Sequence, residues 1–114
     1  LSNLDPTSFI YRYGEDATWL KRTLGTRDTE TGEPAVTWTT EEIKVYIEVM
    51  SHTLKDTDGG EVDEIRMRLY TVSAVAYKHR LVVSGETYEV EMEPDIYRSG
   101  GSEVYRGFTV LKVS

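Results

Sequence analysis

Histidines and carboxylates carry most of the chemical potential of this chain, because it contains no cysteine. Without a thiol there is no disulfide, no thiolate nucleophile and no cysteine-ligated zinc or iron–sulfur centre. The two histidines, His52 and His79, stand far apart, and neither belongs to an HxH or HExxH pattern that would put two imidazoles on one metal. The plainer reading of each is an ordinary surface or strand residue. No GxSxG elbow presents a serine nucleophile, and no GxxxxGK(S/T) or GxGxxG loop cradles a phosphate. Gly59-Gly60 and Gly100-Gly101 read instead as short turn pairs.

The segment KDTDGGEVDE, residues 55–64, is the closest approach to a metal loop. An EF-hand loop opening at Asp56 needs glycine at its sixth position and glutamate at its twelfth. Glu61 and Met67 stand there, so the match fails. A solvated, flexible loop over residues 51–63, joining two strands, is the expected state of this stretch. Aromatic side chains are mostly tyrosine, eight beside two Trp and two Phe. A single-stranded nucleic-acid platform interleaves such rings with Lys and Arg. Here they sit among acids, as in ETYEVE at 86–91. The 20 acidic residues against 13 basic ones give a net charge of −7, which argues against a protein that grips phosphates. The sequence therefore predicts neither an enzyme nor a bound cofactor nor a metal site.

The elements that would hold these residues are strands. The run IKVYIEV at 43–49 puts Ile43, Val45, Ile47 and Val49 on one face, with β-branched residues suited to a pleated, half-buried surface. In residues 64–71, Ile65, Met67 and Leu69 point inward while Arg66 and Arg68 point out. Residues 79–83 and 86–92 flank Ser84-Gly85, the signature of a tight hairpin. Residues 18–24 and 35–39 read as two further strands around the turn-rich GTRDTETGEP. Residues 72–77 suit one helical turn or a bend, and 103–113 form a long terminal strand.

That terminal strand is apolar on both faces. Val104, Phe108 and Val110 lie on one, and Tyr105, Leu111 and Val113 on the other. Such a strand is central, bulged near Gly107, or covered by another subunit. The same alternatives attach to Phe9, Tyr11 and Tyr13 in an N-terminal arm, residues 1–14. A chain of 114 residues suits one domain. The expected fold is all-β: a small antiparallel β-barrel of about five to seven strands with long loops and at most a short helical turn. Nothing in the sequence resembles a signal peptide or a spanning helix, so a soluble intracellular protein is expected.

The order of these features resembles the small head-closure proteins of tailed bacteriophages, the head–tail connector or stopper components of the neck. Residues 12–51, RYGEDATWLKRTLGTRDTETGEPAVTWTTEEIKVYIEVMS, carry the shared layout: a Tyr-Gly stretch, a Thr-rich strand, a Thr-Gly turn at Thr31-Gly32, then the strand at 43–49. In the second half Gly85, Tyr88 and Val90 fit the family's hairpin, while Lys78-His79 stands where a Gly-Asp is usual. The resemblance extends over residues 11–113. It implies a homo-oligomeric ring in the virion neck, assembled in the host cytoplasm, that joins the portal and adaptor ring of the filled head to the tail proteins. Double-stranded DNA would pass through without tight binding. The acidic residues Asp56, Asp58, Gly59, Gly60, Glu61 and Asp63 (with their two glycines) become a candidate channel or gating loop, since like charge disfavours sticking. Phe9, Tyr11, Tyr13, Tyr105, Leu111 and Val113 become candidate subunit or partner contacts. A tail-terminator or tail-completion protein, and an OB-like nucleic-acid-binding module, are the alternatives.

Overall fold

Seven strands and one short helix make up the described part of the computed structural model, residues 6–27, 32, 34–57 and 60–113. The helix α1 spans Ser8–Tyr13. It is followed by β1 (Glu15–Arg27), β2 (Pro34–Thr57), β3 (Gly60–Thr71), β4 (Arg80–Val83), β5 (Glu86–Val90), β6 (Asp95–Ser99) and β7 (Ser102–Lys112). All pairings are antiparallel, in the order β3-β2-β1-β4-β5-β7-β6, and β3 pairs with β7 as well.

The core is built by alternation. Ala17 of β1 lies between Ile43 of β2 and Val83 of β4. Leu81 faces Tyr88, Val90 faces Val110, and Leu69 faces Phe108. These residues join Trp19, Val45, Met67 and Val75 in one buried apolar cluster. Thr71 is fully buried as well. Its hydroxyl donates to the Lys44 carbonyl at 2.9 Å and accepts from the Ser73 amide at 3.3 Å. Burying it is therefore cheap, because no polar atom loses its partner.

Tight turns close the two C-terminal hairpins. Ser84 and Gly85 have φ of 52° and 79°, and Gly100 and Gly101 have φ of 61° and 86°. Two successive left-handed residues match the twist of the flanking strands, which is why two-residue loops favour glycine here.

Several expectations need correction. The molecule is not a small β-barrel of five to seven strands with long loops. It is a seven-stranded antiparallel sheet, among the described residues, whose longest strands run 24 and 13 residues and project as hairpins. The chain extends over 59 × 39 × 24 Å. The expected strands at 35–39 and 43–49 are parts of the single strand β2. The expected loop at 51–63 is mostly ladder, since Ser51 pairs with Arg66 and the pairing continues to Thr57 with Gly60. Backbone hydrogen bonding to a partner strand satisfies polar groups that a loop would leave to water. Within the expected N-terminal arm, Ser8–Tyr13 form the six-residue helix α1. The short strand β6 precedes the terminal strand, in a stretch for which no strand was expected, and Met92 is 58% exposed beyond the end of β5.

The connection at 72–79 is bent rather than helical. Val75 plugs it into the core, and Arg106 donates to the Val75 carbonyl at 3.0 Å. The two-faced terminal strand is explained by position: β7 has β3 on one flank and β5 and β6 along the other.

Candidate functional site

The outer face of the sheet, opposite the core, carries an aromatic groove of about 480 Å3 lined by Phe9, Tyr13, Tyr46, Glu48, Tyr70, Tyr97 and Tyr105. Four elements besides the helix supply it, and register explains why. Tyr46 of β2 pairs with Tyr70 of β3, Tyr70 with Gly107 of β7, and Tyr97 of β6 with Tyr105 of β7. In antiparallel partners the paired side chains share a face, so rings from adjacent strands meet. Phe9 then lies over them from α1, edge-on to Tyr46 at 5.3 Å, to Tyr70 at 5.9 Å and to Tyr105 at 5.3 Å. Tyr97 and Tyr105 stack at 4.6 Å.

Tyr70 sits at the centre of this cluster. Its ring lies over Gly107, where an added Cβ would come 2.7 Å from Tyr70 Cε1. Its hydroxyl donates to Glu48 Oε1 at 3.1 Å. Burial raises the phenol pKa above its ordinary value; Arg68 pulls it back and Glu48 pushes it further up. The Arg68 guanidinium lies 5.5 Å from the Tyr70 ring centre and donates to Asp95 at 2.7 Å. Glu48 lies in the groove with the Tyr70 hydroxyl as its donor and has no ion pair among the described residues.

A second polar feature lies at the other end of the sheet. Trp19 Nε1 donates to His79 Nδ1 at 3.0 Å. Burial lowers the His79 pKa, and the nearby charge of Arg22 lowers it further. The imidazole is thus held neutral, as an acceptor must be. Of the two histidines, His52 pairs across β2–β3 with Ile65, far from His79 in the chain. Among the described residues no group of three or more His, Asp or Glu is placed to hold a metal.

The candidate contact residues separate into two groups. Phe9, Tyr13 and Tyr105 come together in the groove, and Tyr11 stands 56% exposed beside it on α1. Leu111 and Val113 are half-buried at the far end of β7. Of the candidate channel residues, the backbone of Asp56, Gly60, Glu61 and Asp63 lies in the outer part of the β2–β3 ladder; Asp58 and Gly59 lie outside the described residues.

Two exposed apolar patches lie along β2, one towards each end. Leu24 pairs with Val36 and Arg22 with Trp38, so Leu24, Val36 and Trp38 share one face of the β1–β2 hairpin. They are 54%, 42% and 40% exposed. At the other end of β2 a bulge between Ile47 and Val49 shifts the register by one residue. Met50 therefore faces Met67 of the core, and Leu54 lies further out on the same face of β2. Both remain exposed, at 60% and 62%. The apolar inner face of the sheet thus runs on past the core to two side chains that no described residue covers.

No family model matches the chain, and no curated protein matches it. Several solved structures share its fold, among them two that match about nine-tenths of this chain. One is a chain of the virion of a native gene transfer agent particle, with a TM-score of 0.65 at 10% identity, covering 90% of this chain and 96% of that one. The other is the protein xkdH of the phage-like element PBSX from Bacillus subtilis, with a TM-score of 0.60 at 8% identity, covering 89% and 96%. At such identities the similarity establishes a common fold.

Proposed function

We propose that this chain is a non-enzymatic structural protein of a phage or phage-derived particle, acting as a single assembly unit at the head–tail junction. The observation that supports it best is the fold shared, over about nine-tenths of the chain, with a gene transfer agent virion chain and with a phage-like element protein. The sequence resemblance to head-closure proteins points the same way.

The geometry suits assembly. Long hairpins reach beyond the core, and each bears uncovered apolar side chains: Leu24, Val36 and Trp38 at one end of β2, Met50 and Leu54 at the other. Two unlike patches on one subunit are what a head-to-tail ring uses. Residues 56–64 hold five carboxylates and no base. Facing a channel, the end of the β2–β3 hairpin would repel DNA rather than bind it. In this reading the segment bearing Asp56, Asp58, Gly59, Gly60, Glu61 and Asp63 lines or gates the channel. Partners are the portal and adaptor ring and the tail proteins, and the protein works in the virion neck after assembly in the host cytoplasm.

Co-expression with the portal, adaptor and tail proteins encoded alongside it, followed by sizing of the complexes, tests the proposal. Co-migration with a portal–adaptor ring is expected. Failure to bind any head or tail component overturns it.

A further inference from the structure

We infer that the outer-face groove is a receptor for an arginine side chain presented by a partner protein. Its lining combines aromatic rings with one carboxylate and no base. Eight ion pairs join acids and bases elsewhere on the described surface, including Asp95 with Arg68 and Glu91 with Arg66. Glu48 is left out of all of them. Among the described residues its carboxylate has the Tyr70 phenol as its donor, beside a wall of tyrosines. That composition is complementary to an organic cation, because ring faces attract positive charge and the carboxylate supplies the counter-charge.

The guanidinium fits better than an ammonium for two reasons. It is planar and weakly hydrated, so it can stack on a tyrosine while its N–H fork meets a carboxylate. The cluster already shows the mode, since the Arg68 guanidinium packs over the Tyr70 ring, donates to the Tyr97 hydroxyl at 3.5 Å and is bonded to Asp95. Glu48, bonded to the Tyr70 hydroxyl, offers a second pairing of ring and carboxylate that holds no ion pair among the described residues. Exposure of Tyr13 and Tyr97, at 68% and 37%, leaves the entrance open to a protruding side chain.

The proposal is independent of the assembly reading, and its test uses the isolated chain. N-acetyl-arginine amide, its lysine counterpart and the neutral citrulline isostere are titrated into labelled protein and followed by NMR. The arginine probe should shift the ring signals of Tyr46, Tyr70, Tyr97 and Tyr105, bind more tightly than lysine, and leave citrulline without effect. Glu48→Gln should weaken arginine binding about ten-fold, the result of losing a charged hydrogen-bond partner. Tyr97→Ala, on an edge strand, should weaken it as well. The spectrum of each variant reports folding directly. Equal binding of citrulline, unchanged binding by Glu48→Gln, or shifts confined to other faces would each overturn the inference.

Discussion

Adding one methyl group at Gly107 should unseat the aromatic cluster without touching the core. The glycine lies in β7 between Tyr70 of β3 and Asp95 of β6. Its φ is not positive, so alanine is tolerated by the backbone. The obstacle is space: the new Cβ would lie 2.7 Å from Tyr70 Cε1, 3.0 Å from Cδ1 and 2.9 Å from an Arg68 nitrogen. Carbon atoms prefer about 3.5–4.0 Å, so the ring must retreat by roughly 1 Å. Tyr70 cannot retreat freely, because Phe9, Tyr46, Tyr97 and Tyr105 surround it at 5.9, 6.3, 6.2 and 6.0 Å between ring centres. Overpacking of this kind costs about 1–3 kcal/mol. Against that, replacing glycine stabilises by about 0.4–1 kcal/mol through the unfolded chain. The net expectation for Gly107→Ala is a loss of about 1–2 kcal/mol, or a Tm lower by roughly 4–8 °C. Urea unfolding of a double-mutant cycle isolates the cause. In a Tyr70→Ala background the same substitution should be neutral or slightly stabilising, giving a coupling of at least about 1 kcal/mol. An equal loss in both backgrounds would refute the claim that the Tyr70 ring fills the space a side chain at 107 would need.

Three other outcomes follow from the geometry. Since His79 has a lowered pKa in the folded state, the unfolded chain binds its proton first as pH falls; stability should be full above about 6.5 and decline through the folded-state value. Trp19 fluorescence should change in the same window, and His79→Gln, which keeps an acceptor for the indole, should flatten both profiles. Phe108→Ala, at a residue 1% exposed in the central strand, should cost about 3–5 kcal/mol in urea unfolding and serves as the core benchmark. Phe9→Ala should detach α1 while leaving the sheet intact, seen as faster exchange of the Gly14 amide, which donates to the Ile10 carbonyl at 3.0 Å, with protection in β7 unchanged.

Local pattern was enough for some of this architecture. The alternation at Ile43, Val45 and Ile47, the inward residues Met67 and Leu69, and the turn at Ser84-Gly85 are each determined by neighbours a few residues apart, and each appears as read; Val49, expected on the same face, falls beyond the bulge and pairs with Arg68. Elements without an apolar rhythm were illegible. Residues 39–42, TTEE, have no apolar side chain, so nothing in them announces that β2 continues across them. All five residues of β6 are exposed, and an edge strand held by backbone bonds to β7 needs no alternation. The helix α1 is under two turns long and depends on Ile10 and Phe9 finding the sheet, a tertiary event.

The bulge had a signal that strict period-two reading passes over. Apolar residues switch from odd positions (Ile43, Val45, Ile47) to even ones (Met50, Leu54) just where the register shifts. The groove had a partial one: Phe9, Tyr13 and Tyr105 stand out in the N-terminal arm and the two-faced terminal strand, whereas Tyr46 and Tyr70 look like ordinary solvent-face tyrosines, and only the β2–β3–β7 pairing brings them to Tyr105. Glu48 gains meaning by the same route, through the Tyr70 hydroxyl and the lack of an ion pair among the described residues.

Imaging the assembled particle by electron cryomicroscopy, with the chain carrying a density label at its C-terminus, tests the assembly role most directly. The account predicts a ring of copies between the portal and the tail, with the β1–β2 and β2–β3 hairpins in contact with neighbouring chains. Particles that are complete and infective or transfer-competent without the chain, or a label found nowhere on them, would contradict it.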